Sequence, residues 1–272
     1  MKVLISVDME GIAGVVAMAH VLSDKKEYER FRKLMTAETN AAIEGALAGG
    51  ATQIVVNDSH GGMANILIED LHPAAELISG SPKPLGMMEG MDPGVDRVFL
   101  VGYHAASGTG AAVMEHTWSG RVVGEVALNG QVVGELGFNA ALAGSFGAPV
   151  VLVTGDRAVA EEARALLGEV ETVVVKEGVS RYAARCLHPS VAQERIRQGA
   201  ERAMRLEVQP FVVPPPITLR IGFRRAVHAD MAAMLPGSRR LDGLTVEWTG
   251  KDMPTVYRAL QAMAALAWMM ER

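Results

Sequence analysis

A chain of 272 residues, 49% of them hydrophobic, can bury a sizeable core as one large domain or two unequal ones. Its net charge of −5 argues against nucleic acid or an anionic membrane as the main partner, and no run of about 18 apolar residues marks a membrane span. The lone Cys186 excludes an internal disulfide and fits a reducing cytoplasm, and the chain enters its first strand too early to leave room for a signal peptide.

Residues 3–7 form a short apolar run rich in β-branched side chains, which predicts a strand buried on both faces. It stops at Asp8 and Glu10, which period-two alternation places on one side, and Gly11 ends the run. Two anions side by side at the end of a buried strand call for a cation between them; the other reading is that Asp8 caps the next turn and Glu10 is solvated. A capping box at Asp24 and Glu27 predicts a helix that runs to Gly49-Gly50. Residues 53–57 predict a second buried strand, which ends in Asp58-Ser59-His60. A short helix is expected at 64–71, ahead of Pro73, and a strand at 75–78. The Pro-, Gly- and Met-rich stretch 81–94 reads as irregular chain with one helical turn.

Residues 97–102 give the third clear strand and run into Tyr103-His104. Asn129-Gly130 is a strong hairpin signal between strands at 121–128 and 131–133. Glu135 then opens an Ala-rich helix to about residue 143, followed by a strand at 150–154, a helix ending at Leu167 and a strand at 172–175. The alternation predicts an α/β fold over residues 1–210, a mostly parallel sheet with helices on both faces. An Arg-rich helix at 189–207 and prolines at 210 and 214–216 lead to strand 217–223, helix 227–235, strand 244–249 and a Met- and Ala-rich helix from Pro254 onward. Residues 211–272 are therefore expected to form a smaller C-terminal α+β domain. The last helix has more apolar residues than one buried stripe requires, which gives this domain a part in self-association.

In an open α/β sheet, ligands bind along the rim formed by the C-terminal ends of the strands. Asp8 and Glu10 follow the first strand, His60 the second and His104 the third, so four metal-ligand side chains share that rim. Glu135, after the hairpin and at a helix start, is a fifth candidate. Five ligands are too many for one tetrahedral catalytic zinc that keeps an open position, whereas a bridging Asp8 lets two ions share them. The mixture of imidazole and carboxylate favours zinc, with manganese or cobalt open. His116 admits two readings: a hydrogen-bonded core histidine beside Trp118, or an acid, base or nucleophile.

Longer motifs narrow the choice. Ser-Val-Asp-Met-Glu-Gly at 6–11, Val-Asn-Asp-Ser-His at 56–60, Gly-Tyr-His-Ala at 102–105 and Val-Gly-Glu-Leu-Gly-Phe-Asn-Ala at 133–140 resemble the DppA-type zinc-dependent D-aminopeptidases. The resemblance covers nearly the whole chain. It implies two Zn²⁺ per chain, with Asp8 bridging and Glu10, His60, His104 and Glu135 as the other ligands, and a catalytic His116. It also implies release of N-terminal D-amino acids from short peptides, and a homo-oligomer, a decameric ring around a central channel. One departure is that residues 105–115 lack a basic residue expected from the family pattern. From the residues alone, two other functions stay open: a two-metal hydrolase of another amide or a phosphoester, and a non-enzymatic α/β metal-binding module. A closed structural zinc site often uses cysteine, and Cys186 is far from the cluster in sequence; no Gly-rich dinucleotide fingerprint follows the first strand.

Overall fold

The computed structural model describes residues 1–271. In chain order it contains β1 (Lys2–Val7), α1 (Met18–Val21), α2 (Tyr28–Ala48), β2 (Gln53–Asp58), β3 (Ala75–Ile78), β4 (Arg97–Tyr103), β5 (Val123–Leu128), β6 (Gln131–Val132), α3 (Glu135–Ser145), β7 (Val150–Asp156), α4 (Arg157–Leu167), β8 (Glu171–Ser180), β9 (Ala183–Cys186), α5 (Pro189–Ala203), β10 (Ile217–Phe223), α6 (Ala226–Ala232), β11 (Arg239–Arg240), β12 (Thr245–Gly250) and α7 (Met253–Trp268).

Seven strands form one sheet in the order β3-β2-β1-β4-β7-β8-β9, parallel except for β9, which runs antiparallel to β8. β1 shows why its central strands are apolar throughout. Val3, Ile5 and Val7 enter one core with α2 and α5, while Leu4 enters the other with α3, α4 and α7. Both faces are covered, so these strands leave no position for a solvated side chain. The expected α/β architecture, with helices on both faces of a mostly parallel sheet, is the one observed.

A second, antiparallel sheet has the order β11-β12-β10-β5-β6. The β5–β6 hairpin turns at Asn129 and Gly130, both with positive φ, as a two-residue turn between right-twisted strands requires. β5 pairs with β10, Leu128 opposite Leu219, so this sheet draws on two separate stretches of chain. α7 reaches from it to α3 and to the turn at residues 86–88. The Tyr257 hydroxyl donates to Asn139 Oδ1 at 3.0 Å and accepts from the Met87 N–H at 3.2 Å.

Several local expectations give way to tertiary contacts. The Asp24/Glu27 capping box does not form: α2 starts at Tyr28, and Glu27 precedes it with helical φ and ψ and no side-chain cap. The helix expected at 64–71 is only a single 3₁₀ turn, Ile68–Asp70. Asp58 accounts for this, because its carboxylate accepts the N–H groups of Asn65 (2.5 Å) and Ile66 (2.7 Å) and holds that stretch against β2. β8 runs on to Ser180 and doubles back as β9, a hairpin with no turn signal in the sequence.

Glu38 on α2 is buried, accepting the Ala13 N–H at 2.9 Å through Oε1 while Oε2 has no hydrogen-bond partner among the described residues. Burial raises its carboxyl to about 7, against the pull of the Ala13 amide and Lys176. The folded state therefore holds a proton that the unfolded chain releases near 4.5, so stability falls as pH rises between 4.5 and about 7. Glu38→Gln should remove that contribution. The difference in melting temperature between variant and parent should grow in the variant's favour from pH 4.5 to 7 and then level off, as thermal denaturation at several pH values will show.

Candidate active site

The two ends of the site are held together by a close backbone crossing. Past β1 the chain lies against the end of β4, with the Asp8 N–H on the Val101 carbonyl (2.8 Å) and the Gly11 N–H on the Gly102 carbonyl (2.7 Å). A Cβ at Gly11 would stand 2.1 Å from the Tyr103 oxygen, and one at Gly102, where φ is +70°, would stand 2.2 Å from the Asp8 oxygen. Only glycine fits at either position. The crossing sets Asp8 and Glu10 beside His104, and the Ser59 N–H on the Val7 carbonyl (2.8 Å) aligns His60 with them. Glu135 arrives from the second sheet, as the first residue of α3 after the β5–β6 hairpin. All five side chains foreseen as ligands are buried. His116 lies beside them with 19% of its side chain exposed, against 1–10% for the others.

The tautomers of the histidines follow from their outer partners. His60 Nε2 faces the Val21 carbonyl at 2.9 Å and His104 Nδ1 faces the Ala105 carbonyl at 3.0 Å. A carbonyl only accepts, so those nitrogens carry the hydrogen and donate. In the neutral ring, the form that can bind a metal, the inner nitrogens then present lone pairs toward the carboxylates. His60 Nδ1 is 3.2 Å from Asp8 Oδ1 and 2.9 Å from Glu10 Oε2. His104 Nε2 is 3.5 Å from Asp8 Oδ2 and 3.5 Å from Glu135 Oε1. Glu10 Oε2 and His104 Nε2 have no hydrogen-bond partner among the described residues. Buried lone pairs that face buried anions repel unless a cation lies between them, and a backbone-anchored outer nitrogen is how metal-bound histidines are oriented. The donor set therefore fits a divalent metal of the zinc type. Two groups of potential ligand atoms lie within 4.8 Å of one another: Asp8, Glu10 and His104, and His104, His116 and Glu135.

The protein's own groups feel the strain of this arrangement. Burial and the neighbouring Glu10 carboxylate raise Asp8 to about 7, although His60 and His104 pull it down. Burial also works against the charged form of Glu10, yet His60 above all, with His116 and His104, holds it well below the usual carboxylate range. Glu135 is lowered, since His104 and His116 outweigh burial. Burial disfavours charge on His60 and His104, but Glu10 and Asp8 on one, and Glu135 and Asp8 on the other, raise both well above an ordinary histidine. His116 goes the other way, lowered by burial and by His104, on which it stacks with ring centroids 4.1 Å apart.

His116 sits on a tense loop. Ala111, Met114 and Trp118 all have positive φ, a conformation that residues with a Cβ rarely adopt and that gathers at functional sites. Its Nδ1–H donates to the Met114 carbonyl at 2.9 Å, leaving Nε2 with a free lone pair 3.6 Å from Glu135 Oε1. Glu135 Oε1 also accepts the Trp118 N–H at 2.6 Å, which ties the loop to that carboxylate.

Some supporting residues escape a reading of the sequence. Lys176 on β8 is buried, and its ammonium donates to the carbonyls of Glu10, Ile12 (2.9 Å) and Val15 (2.6 Å), clamping the loop that carries Glu10. Its only signal is a lysine closing the apolar run Val173-Val174-Val175. Lys83 does the same for β2, donating to Asn57 Oδ1 (2.7 Å) and the Asp58 carbonyl (2.6 Å). Under the site, Ser6, Ser59, Tyr103 and Asn139 form a buried hydrogen-bond chain that has no linear motif. The remaining histidines are structural: His20 stacks on Phe31, His188 caps α5, His72 accepts the Ala74 N–H, and His228 pairs with Glu271.

Known proteins match this arrangement along its whole length. A family model described as D-aminopeptidase, of the peptidase class, matches residues 1–262. The D-aminopeptidase of Bacillus subtilis (strain 168) is 40% identical over 279 aligned residues, which cover 98% of each chain. A solved structure, the Zn-dependent D-aminopeptidase DppA from Bacillus subtilis, described as a self-compartmentalizing protease, superposes with a TM-score of 0.96 at 40% identity, covering 98% of both chains. With this fold, this donor set and matches of that extent, the chain belongs to the D-aminopeptidase family of metallo-hydrolases.

Proposed function

We propose that the chain releases N-terminal D-amino acids from short peptides at a centre of two zinc ions held by Asp8, Glu10, His60, His104 and Glu135. The observation that carries this reading is the posture of Asp8. Its Oδ1 faces His60 and its Oδ2 faces His104, so one carboxylate addresses two separate imidazole lone pairs, as a bridging ligand does. Glu10 completes the His60 side and Glu135 the His104 side. Zinc bound there supplies Lewis acidity toward a peptide carbonyl and toward water. The D-preference is supported by the relatives, each described as a D-aminopeptidase. Selection of the N-terminus fits a rim of buried carboxylates, because the α-amino group is the one backbone group of a peptide that carries positive charge.

His116 takes the acid–base role in this reading. Its Nδ1 is fixed as a donor, its pKa lies below the ordinary histidine value, and it is the most exposed of the cluster. The neutral ring can accept a proton at Nε2 from attacking water and return it to the leaving amine. Burial around the site excludes bulk water and strengthens every charge interaction within it.

Self-association belongs to the same proposal, as a ring of ten chains. The B. subtilis relative is described as self-compartmentalizing. Val212 and Met234 are exposed in the C-terminal stretch, as are Trp268, Met269 and Met270 at the end of α7. Residues 211–272 are the proposed assembly unit. No helix among the described residues is long and apolar enough to cross a membrane. The single free Cys186 supports a reducing, cytoplasmic setting.

Three outcomes follow. Elemental analysis of zinc-loaded protein should find about two ions per chain, with Asp8→Ala losing both and His104→Ala deficient; an active preparation without zinc would refute the centre. His116→Ala should keep its zinc yet turn over D-aminoacyl amides roughly 10²–10⁴-fold more slowly, and L-aminoacyl amides should be poor substrates for the parent. Loss of zinc in that variant would make His116 a ligand instead. Sedimentation at micromolar concentration should show a large homo-oligomer, and a monomer would end the ring proposal.

A further inference from the structure

We infer that an arginine-lined pocket beside His116 binds the C-terminal carboxylate of the substrate, so that this chain prefers peptides ending within one or two residues of the bond it cuts. The inference rests on the aminopeptidase reading above. The pocket is a solvent-open recess of about 560 Å³, lined by Ser107, Glu115, Arg121, Arg181, Arg224 and Arg225 among others. That volume is in the range of small-molecule sites.

Its inner wall is the loop that carries His116. Glu115 directly precedes the histidine, and Gly120, also in the lining, lies so close that a Cβ there would stand 3.3 Å from His116 Cβ. The Ser107 N–H donates to Thr117 Oγ1 at 3.2 Å and the Gly108 N–H to Glu115 Oε2 at 3.0 Å, joining the other wall to the same loop.

Four arginines line this recess against two carboxylates, Glu115 and Glu271, in a chain whose net charge is −5. Two of the arginines are already matched. Arg181 pairs with Glu115, also donating to its carbonyl at 2.6 Å, and Arg225 pairs with Glu271. Arg224 donates to Ser107 Oγ (3.0 Å) and the Val123 carbonyl (3.3 Å), and Arg121 lies over the Trp268 ring, 5.6 Å from its centre. Neither Arg224 nor Arg121 has a carboxylate partner among the described residues. Two guanidinium groups without carboxylate partners in one open recess draw an anion, and their fork matches a carboxylate.

Peptide geometry identifies that anion. An extended chain advances about 3.3–3.6 Å per residue, so a pocket whose wall adjoins His116 meets the residue just beyond the cut bond or the next one. In a di- or tripeptide that residue ends in a free carboxylate, ionised at neutral pH. In a longer peptide the same place holds an uncharged amide.

The test compares D-alanyl-glycine and D-alanyl-glycyl-glycine with their C-terminal amides, using the zinc-loaded full-length protein. The free acids should show kcat/KM about tenfold higher than the amides, the worth of one charge-assisted contact. In Arg224→Gln and in Arg121→Gln the ratio of acid to amide should fall toward one, with zinc content measured alongside. Equal rates on acid and amide by the unaltered protein would overturn the pocket's role and leave the aminopeptidase reading standing. A preference that survives both substitutions would overturn it too. An amidated D-alanyl-glutamate, whose only carboxylate is on a side chain, should not recover the advantage; if it does, the pocket reads side chains rather than chain ends and the inference fails. Cleavage of none of these peptides would refute the aminopeptidase reading itself, and the inference with it.

Discussion

Everything at this site answers to one electrostatic constraint: three carboxylates, Asp8, Glu10 and Glu135, are buried against two imidazoles whose inner nitrogens point at them. With the imidazoles neutral, these buried carboxylates have lost their water and need a cation to offset their mutual repulsion. The raised Asp8 and the raised histidines are the protein's own response, drawing protons into places that a metal would fill. A metal bound here would compete with protons for the same lone pairs, and folding of the rim would be linked to occupancy by one or the other.

The two buried lysines show how the fold supports the cluster without spoiling it. Lys176 and Lys83 each stand close behind a ligand-bearing loop, yet both donate to carbonyl or amide oxygens rather than to the ligand carboxylates. Burial lowers both ammonium groups to about 8. They fix the course of the loops after β1 and β2, and the negative charge of Asp8 and Glu10 stays directed at the centre. A lysine placed on those carboxylates would have neutralised the feature that attracts a dication. Position, not net charge, is what these residues contribute.

How far the sequence could be read follows from the same physics. The central strands were legible because both faces are covered, which leaves near-continuous apolar runs, and the convergence of Asp8, Glu10, His60 and His104 follows from the common rim of a parallel sheet. Glu135 was visible only as the residue after a hairpin, and nothing local reveals that the hairpin belongs to the second sheet. The stretch at 64–71 misleads because its helix pattern is genuine, while Asp58 takes the N–H groups that a helix would use. Lys176 meets the Glu10 loop across more than 160 residues, beyond any linear motif. Nor does spacing disclose the strained φ values that set His116 over the cluster, since Ala111, Met114 and Trp118 are not residues that advertise a left-handed turn.

Glu135 gives the two sheets a common interest. It follows the β5–β6 hairpin of the antiparallel sheet, yet its carboxylate closes the centre on the rim of the parallel one. Tyr257 of α7 crosses the same boundary, linking Met87 and Asn139, and Asn139 in turn holds the Tyr103 hydroxyl that bonds Ser6 within β1. A displacement of the second sheet would thus move the Glu135 carboxylate directly and disturb the hydrogen-bond chain beneath the other candidate ligands. The exposed apolar residues at the end of α7 lie on the same helix as Tyr257, so a surface that covers them presses on an element already joined to the centre. The proposed assembly surface and the proposed metal site are in this way mechanically connected, through side chains rather than through any shared ligand.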